Sequence, residues 1–202
     1  DADNLFVPEK LAKQVAFLES HHDVGLCWSD IAHFYNDDPK RLYQNRNELQ
    51  VPEGDLFRHV LRVNFLNVLA VMVRKECFDK FGAFPEGWRA CDEQYVWVNL
   101  AYRGVKFAHA PGRVGLLRLH GTNDSFRPDH IYDTAVGILK LFDEVQEHFT
   151  PDEHAQYDGY LASLRRRWKI KRLLGTLLAH PPTSWILMPL YKHRRANAYY
   201  EI

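Results

Sequence analysis

Apolar residues along the chain change their spacing several times, and each change predicts an element. After Pro8, Leu11, Val15 and Leu18 recur at helical spacing and predict a helix over about 8–20, with Pro8 in its first turn. Residues 24–29 (Val-Gly-Leu-Cys-Trp-Ser) read as a short buried strand, and 66–74 as a second apolar strand. Between them, 36–55 is rich in Asn, Asp, Pro and charge and reads as a surface loop with room for one brief strand. A short helix over about 75–81 should close on Gly82, taken as a left-handed cap, and another over about 92–103 on Gly104. Residues 105–108 and 114–119 read as two more strands. From about 129 to 179 the pattern is helical, broken by Thr150-Pro151-Asp152 as the N-cap of a new helix and ended by Pro181-Pro182.

Composition adds limits. With 202 residues, 46% hydrophobic and 13% aromatic, the chain can bury one domain core plus a helical appendage, and global disorder is excluded. The formal charge of zero hides an asymmetry. Residues 1–162 hold 17 Lys/Arg against 25 Asp/Glu, and 163–202 hold nine against one. Segment 163–195 mixes those nine cations with Leu164, Trp168, Leu173, Leu174, Leu177, Leu178, Trp185 and Ile186, the composition of a helix that lies on an anionic membrane surface. The bland alternative is a helical appendage with a solvated charged face. Nucleic acid is not an expected partner, because the body is acidic and carries no recognised binding motif. Three cysteines, Cys27, Cys77 and Cys91, make no CxxC pair, which argues against a disulfide framework or structural zinc. They suit a reducing compartment, so the expected location is the cytoplasm, with the basic segment facing the inner side of the membrane. No apolar run approaches the ~18 residues that span a bilayer. The chain opens at Asp1 without methionine, and the expectation is the C-terminal part of a longer protein.

Three groups of residues can carry chemistry. Asp1 and Asp3, one residue apart before a helix, can present oxygen to a divalent cation that also holds a diphosphate, although Asp and Asn are equally ordinary turn residues. Asp92 and Glu93 open the 92–103 helix; either carboxylate can accept a proton from a hydroxyl nucleophile, or both simply complement the helix dipole for about 0.3–1 kcal/mol each. His120, after the 114–119 strand, is a candidate metal or phosphate ligand, and Arg118 can neutralise a phosphate. A histidine there is also an ordinary structural hydrogen-bonding residue.

Taken in order, these pieces resemble family 2 glycosyltransferases. The Asp-x-Asp segment and following helix (1–19) look like that family's metal-and-donor segment. Residues 23–30 resemble the strand that follows it, and 71–86 the acceptor-side arginine, short helix and Gly-x-Phe turn. Residues 91–103 resemble the family's Glu-Asp helix, and 118–125 its closing Arg-x-His…Asn-x-Ser segment. The resemblance covers about 1–127. It implies an α/β fold, the C-terminal half of a GT-A domain without its Rossmann-like first half, with 128–202 as a helical extension. It also implies an inverting transfer from a nucleotide-diphosphate sugar to a glycan, polysaccharide or lipid-linked acceptor, assisted by Mn²⁺ or Mg²⁺. Asp1 and Arg118 would face the nucleotide-sugar, Asp3 and His120 the metal, and Glu93 or Asp92 would be the base. Here the acids run Asp then Glu, the reverse of the family's order, and Asn99 stands where many members carry arginine. Without the first half, the chain is expected to be inactive alone and to expose a sheet edge. The alternative is a non-catalytic domain on the same scaffold that binds a glycan or a membrane partner.

Overall fold

The computed structural model describes residues 3–35, 38–45, 56–120, 123, 127–180, 183, 185–187, 189 and 199–201. Two compact units divide the chain. Asp1–Phe84, Val96–Gly121 and Arg195–Ile202 form one, Pro85–Tyr95 and Thr122–Arg194 the other.

The first unit is α/β with a mixed sheet. Its strands are β1 (Leu5–Phe6), β2 (Val24–Tyr35), β3 (Leu42–Asn45), β4 (Val71–Val73), β5 (Lys106–Leu119) and β6 (Tyr199–Glu201). They run in the order β1-β5-β2-β3-β6, with β4 also on β2. The β2–β5 pairing is parallel and spans Val24↔Lys106 to Tyr35↔Leu119, while every other pair is antiparallel. β2 is buried at all but two of its twelve positions, the pattern of a central strand covered on both faces. Leu26, Phe34, Phe107 and Val114 of these two strands are fully buried, Val114 packing with Ile31, Leu69 and Ala70.

The long strands differ from the expected ones for an identifiable reason. Pro111-Gly112 reads as a break between two strands, but β5 runs through it. Ala110, Pro111 and Gly112 stand against the single residue Ser29, between the pairs Trp28↔His109 and Asp30↔Arg113. The dipeptide makes a bulge rather than a turn, with Gly112 at φ +106°, a value that suits glycine.

α1 (Lys10–Ser20) forms where expected but turns a different face inward. Leu11 and Val15 are exposed, whereas Lys10, Gln14 and Leu18 are buried. The buried polar residues are paired. Lys10 Nζ donates to Gln14 Oε1 at 2.6 Å, and Gln14 Nε2 donates to Ala70 O at 2.6 Å and Ser29 Oγ at 3.3 Å. Burial holds the Lys10 ammonium below its ordinary pKa. Arg74 donates to Leu18 O (2.5 Å) in the last turn of α1 and to Val24 O (2.8 Å) at the start of β2, so its charge ties the helix end to the strand that follows.

The predicted 66–74 strand is a 3-10 turn (Val68–Ala70) followed by three-residue β4. Asn67 accepts a hydrogen bond from Leu69 N–H, and this side-chain cap ends the extended run. α2 (Phe57–Arg62) and β6 have no counterpart among the expected elements. α3 (Lys75–Phe81) and α4 (Asp92–Tyr102) match expectation, with Gly82 at φ +88° and Gly104 at φ +77° closing them.

The second unit is helical. α5 (Pro128–Gln146) and α6 (Pro151–Ala179) pack through Ala135, Ile138, Leu141, Phe142, Leu161, Leu164 and Leu178. They approach closely at Gly175, where a Cβ would stand 2.7 Å from Tyr132 N. Thr150 caps α6 as expected, accepting from Glu153 N–H while Glu153 accepts from Thr150 N–H. Pro181 and Pro182 lie outside the described residues.

Candidate functional site

Three of the predicted site residues meet at one corner of the sheet. β1 pairs with β5 through Leu5↔Leu116 and Phe6↔Gly115, and Val7 N–H extends the pairing to Val114 O at 3.0 Å. That register carries Asp3, 115 residues away in sequence, alongside Arg118. Arg118 Nε donates to Asp3 O at 2.9 Å and Arg118 N–H donates to Asn4 Oδ1 at 3.0 Å. The guanidinium also lies over the Phe34 ring, 4.8 Å from its centroid. His120, just past the end of β5, places Nε2 2.9 Å from Asp3 Oδ2. Both side chains are about a third exposed (35% for His120 and 39% for Asp3), so the pair is formed yet open to a ligand. The hydrogen bond from His120 holds the Asp3 carboxyl below its ordinary pKa, against a smaller opposing effect of burial.

An aspartate carboxylate and a histidine imidazole are donors that a divalent cation accepts, the nitrogen suiting Mn²⁺ better than Mg²⁺, and Nε2 becomes a ligand only when it gives up its hydrogen bond to Asp3. Among the described residues, no group of three or more His, Cys, Asp or Glu converges. Asp1, the other half of the Asp-x-Asp pair, lies outside the described residues, as do residues 121–122 and 124–125 of the closing segment.

Asp92 and Glu93 fall in the second unit, in the first turn of α4. Both are half-buried. The residue before them is unusual. Cys91 sits at φ +66°, and among the described residues it is the one non-glycine with positive φ. Such a backbone costs on the order of 1–3 kcal/mol and persists where its surroundings over-determine it. Here they do. Tyr95 N–H donates to Cys91 O at 2.9 Å, Cys91 Sγ lies 3.6 Å from Thr134 O, and a Cβ on Gly137 would stand 2.7 Å from Ala90 O. Burial pushes the Cys91 thiol up to about 12, helped by the charges of Glu93 and Asp92. Strain is thus stored immediately ahead of the two acids.

Two positions of the resembling segments are occupied structurally. Arg74 is committed to backbone carbonyls, as described above. Asn99 Nδ2 donates to Phe81 O at 2.7 Å and so fastens the end of α3.

A second carboxylate–imidazole pair was not anticipated. Asp30 Oδ1 lies 3.0 Å from His109 Nε2. The shifted register on both sides of Asp30 turns its side chain outward, and Asp30 is the one exposed residue of β2. Trp28, Ser29, Asp30, Ile31, Gln44, Phe65, Asn67 and Ala70 line a shallow cleft there. His109 stands opposite Trp28 and His120 just past the partner of Tyr35, about 25 Å apart at strand spacing along β2, so the two pairs belong to separate places. A lone acid inside a buried run was the available signal.

No protein-family model matches the chain. The chain is similar to the amylovoran biosynthesis glycosyltransferase AmsE of Erwinia amylovora, 23% identical over 111 residues. The match covers 55% of this chain, which spans only 40% of that relative's length.

Proposed function

We propose that this chain is part of a glycosyltransferase and that the Asp3–Arg118–His120 corner binds the diphosphate of a nucleotide-sugar donor. The observation that carries this reading is the convergence of an acid, a guanidinium and an imidazole from opposite ends of 118 residues onto one corner. The similarity to a glycosyltransferase supports the transfer half of this reading. The chain spans less than half of that relative's length, so the transfer is proposed for the whole protein.

In this reading Asp3 and His120 would hold Mn²⁺ or Mg²⁺, which would supply charge neutralisation for a departing nucleoside diphosphate. Asp3 stays ionised, since its hydrogen bond favours the charged form. Arg118, anchored on Asp3 O and the Phe34 ring, holds a fixed positive charge beside it, so no reorganisation is needed as negative charge develops. Asp1 adds a further contact to the donor. Glu93 or Asp92 takes the proton from the acceptor hydroxyl, which then attacks from the face opposite the leaving group and inverts the anomeric carbon. The acceptor is a glycan or lipid-linked sugar.

The test is calorimetric titration of UDP, then GDP and dTDP, into the full-length protein with and without Mn²⁺. The reading expects metal-dependent binding of one nucleotide, weakened at least about tenfold by Asp3→Ala, a loss of roughly 1.4 kcal/mol. Sugar transfer that survives both Asp3→Ala and a Glu93→Gln/Asp92→Asn pair refutes it.

A further inference from the structure

We propose that the outward face of α6 docks the protein on an anionic membrane surface. This stands on different residues from the donor site and does not depend on it.

α6 has two apolar faces. Leu161, Leu164, Gly175 and Leu178 are buried, on the face that meets α5. The other face is made by Ile170, Leu173, Leu174 and Leu177, spaced i, i+3, i+4, i+7, as one continuous stripe. Its members are 63%, 61%, 37% and 39% exposed. Trp185 and Ile186, past the end of the helix, are also exposed, at 77% and 70%. A stripe with this periodicity would be core if something covered it, and scattered single surface hydrophobes do not repeat this way.

The charges around the stripe say what covers it. Arg166 and Arg167 lie one turn ahead of it, and Lys169 and Lys171 flank it at about 100° to either side, as the 100° rotation per residue requires. All four are exposed. No acidic residue occurs between Asp158 and Glu201. A second copy of the chain would bring cations against cations across the stripe. An anionic lipid surface instead takes the leucines into its acyl boundary and pairs its headgroups with the cations, while an exposed tryptophan suits the interface. Among the described residues no helix is long and apolar enough to cross a membrane, so the helix would lie on the surface.

Vesicle flotation of the 202-residue chain tests this. Phosphatidylcholine vesicles are compared with vesicles that also contain phosphatidylglycerol. The proposal expects at least about tenfold more binding to the anionic vesicles, given roughly 1 kcal/mol for each Lys or Arg near the surface. Leu173→Asn/Leu177→Asn should lose that binding with unchanged circular dichroism, and Lys169→Gln/Lys171→Gln should reduce it several-fold. Because the second pair leaves every apolar side chain in place, it keeps the test valid if the first variant misfolds. Equal binding to both vesicle types overturns the proposal, as does anionic binding that the leucine variant leaves intact. Self-association through the stripe without vesicle binding, seen by light scattering and lost in the leucine variant, would assign it to a second copy and also overturn the proposal.

Discussion

The Asp3 corner and the start of α4 both present carboxylates, but they are built in opposite ways. Asp3 is positioned at long range. Two residues of β1 pair with β5, and Arg118 and His120 close on an aspartate 115 and 117 positions earlier in the chain. Asp92 and Glu93 are positioned locally, by a backbone held at positive φ one residue before them. One site depends on sheet register and the other on stored strain. A site of the first kind is lost when a strand slips, whereas one of the second kind answers to the residue that carries the strain.

The largest effect should come from Gly115→Val. A Cβ there would stand 2.7 Å from Leu69 Cγ, with valine's methyls still to place. Overpacking should cost about 1–3 kcal/mol and lower Tm by roughly 3–10 °C in thermal unfolding. Because Gly115 pairs with Phe6, the change should also weaken nucleotide binding at Asp3 while amide exchange in the first turn of α4 stays as in the parent. Next is Cys91. At a buried position with ordinary backbone, valine would replace cysteine better than glycine would. At φ +66° the order should reverse, with Cys91→Gly more stable than Cys91→Val by about 1–2 kcal/mol in urea unfolding. The reverse order would mean that the strain is not what holds this turn.

A smaller effect concerns alkaline pH. Burial raises the thiol of Cys27 to about 11 and that of Cys91 to about 12, from an ordinary 9.0. The folded state therefore keeps protons that the unfolded state has lost. The stabilisation is fully present below pH 9 and is lost as pH rises through 11–12. Tm should fall between pH 9 and 11, less steeply in Cys91→Ser, and the folded thiols should resist an alkylating reagent at pH 8.

The expectations that succeeded share a cause. Gly82, Gly104 and Thr150 act through local backbone geometry, so the residue type alone announces them. Asp3, Arg118 and His120 were legible as types in the right order, but their meeting was not, because β1 is two residues long and leaves almost no pattern. Failures followed where a local signal met a tertiary one. Pro111-Gly112 punctuates the sequence, yet the ten-register pairing of β5 with β2 carries the strand across it. Leu11 and Val15 suggest the inner face of α1, yet hydrogen bonds from Lys10 and Gln14 to Ala70, Val71 and Ser29 turn the polar residues inward. The Asp30–His109 pair rests on that same bulge and could not be read before the register was known.

The central claim is that Asp3 and His120 form one ligand pair. Manganese titration followed by water-proton relaxation, with the full-length protein and a nucleoside diphosphate present, tests it most directly. The account predicts one tight Mn²⁺ site, weakened at least about tenfold by Asp3→Ala and by His120→Ala, with the double variant scarcely worse than either single change, as expected for coupled partners. Manganese binding that neither substitution alters would contradict it.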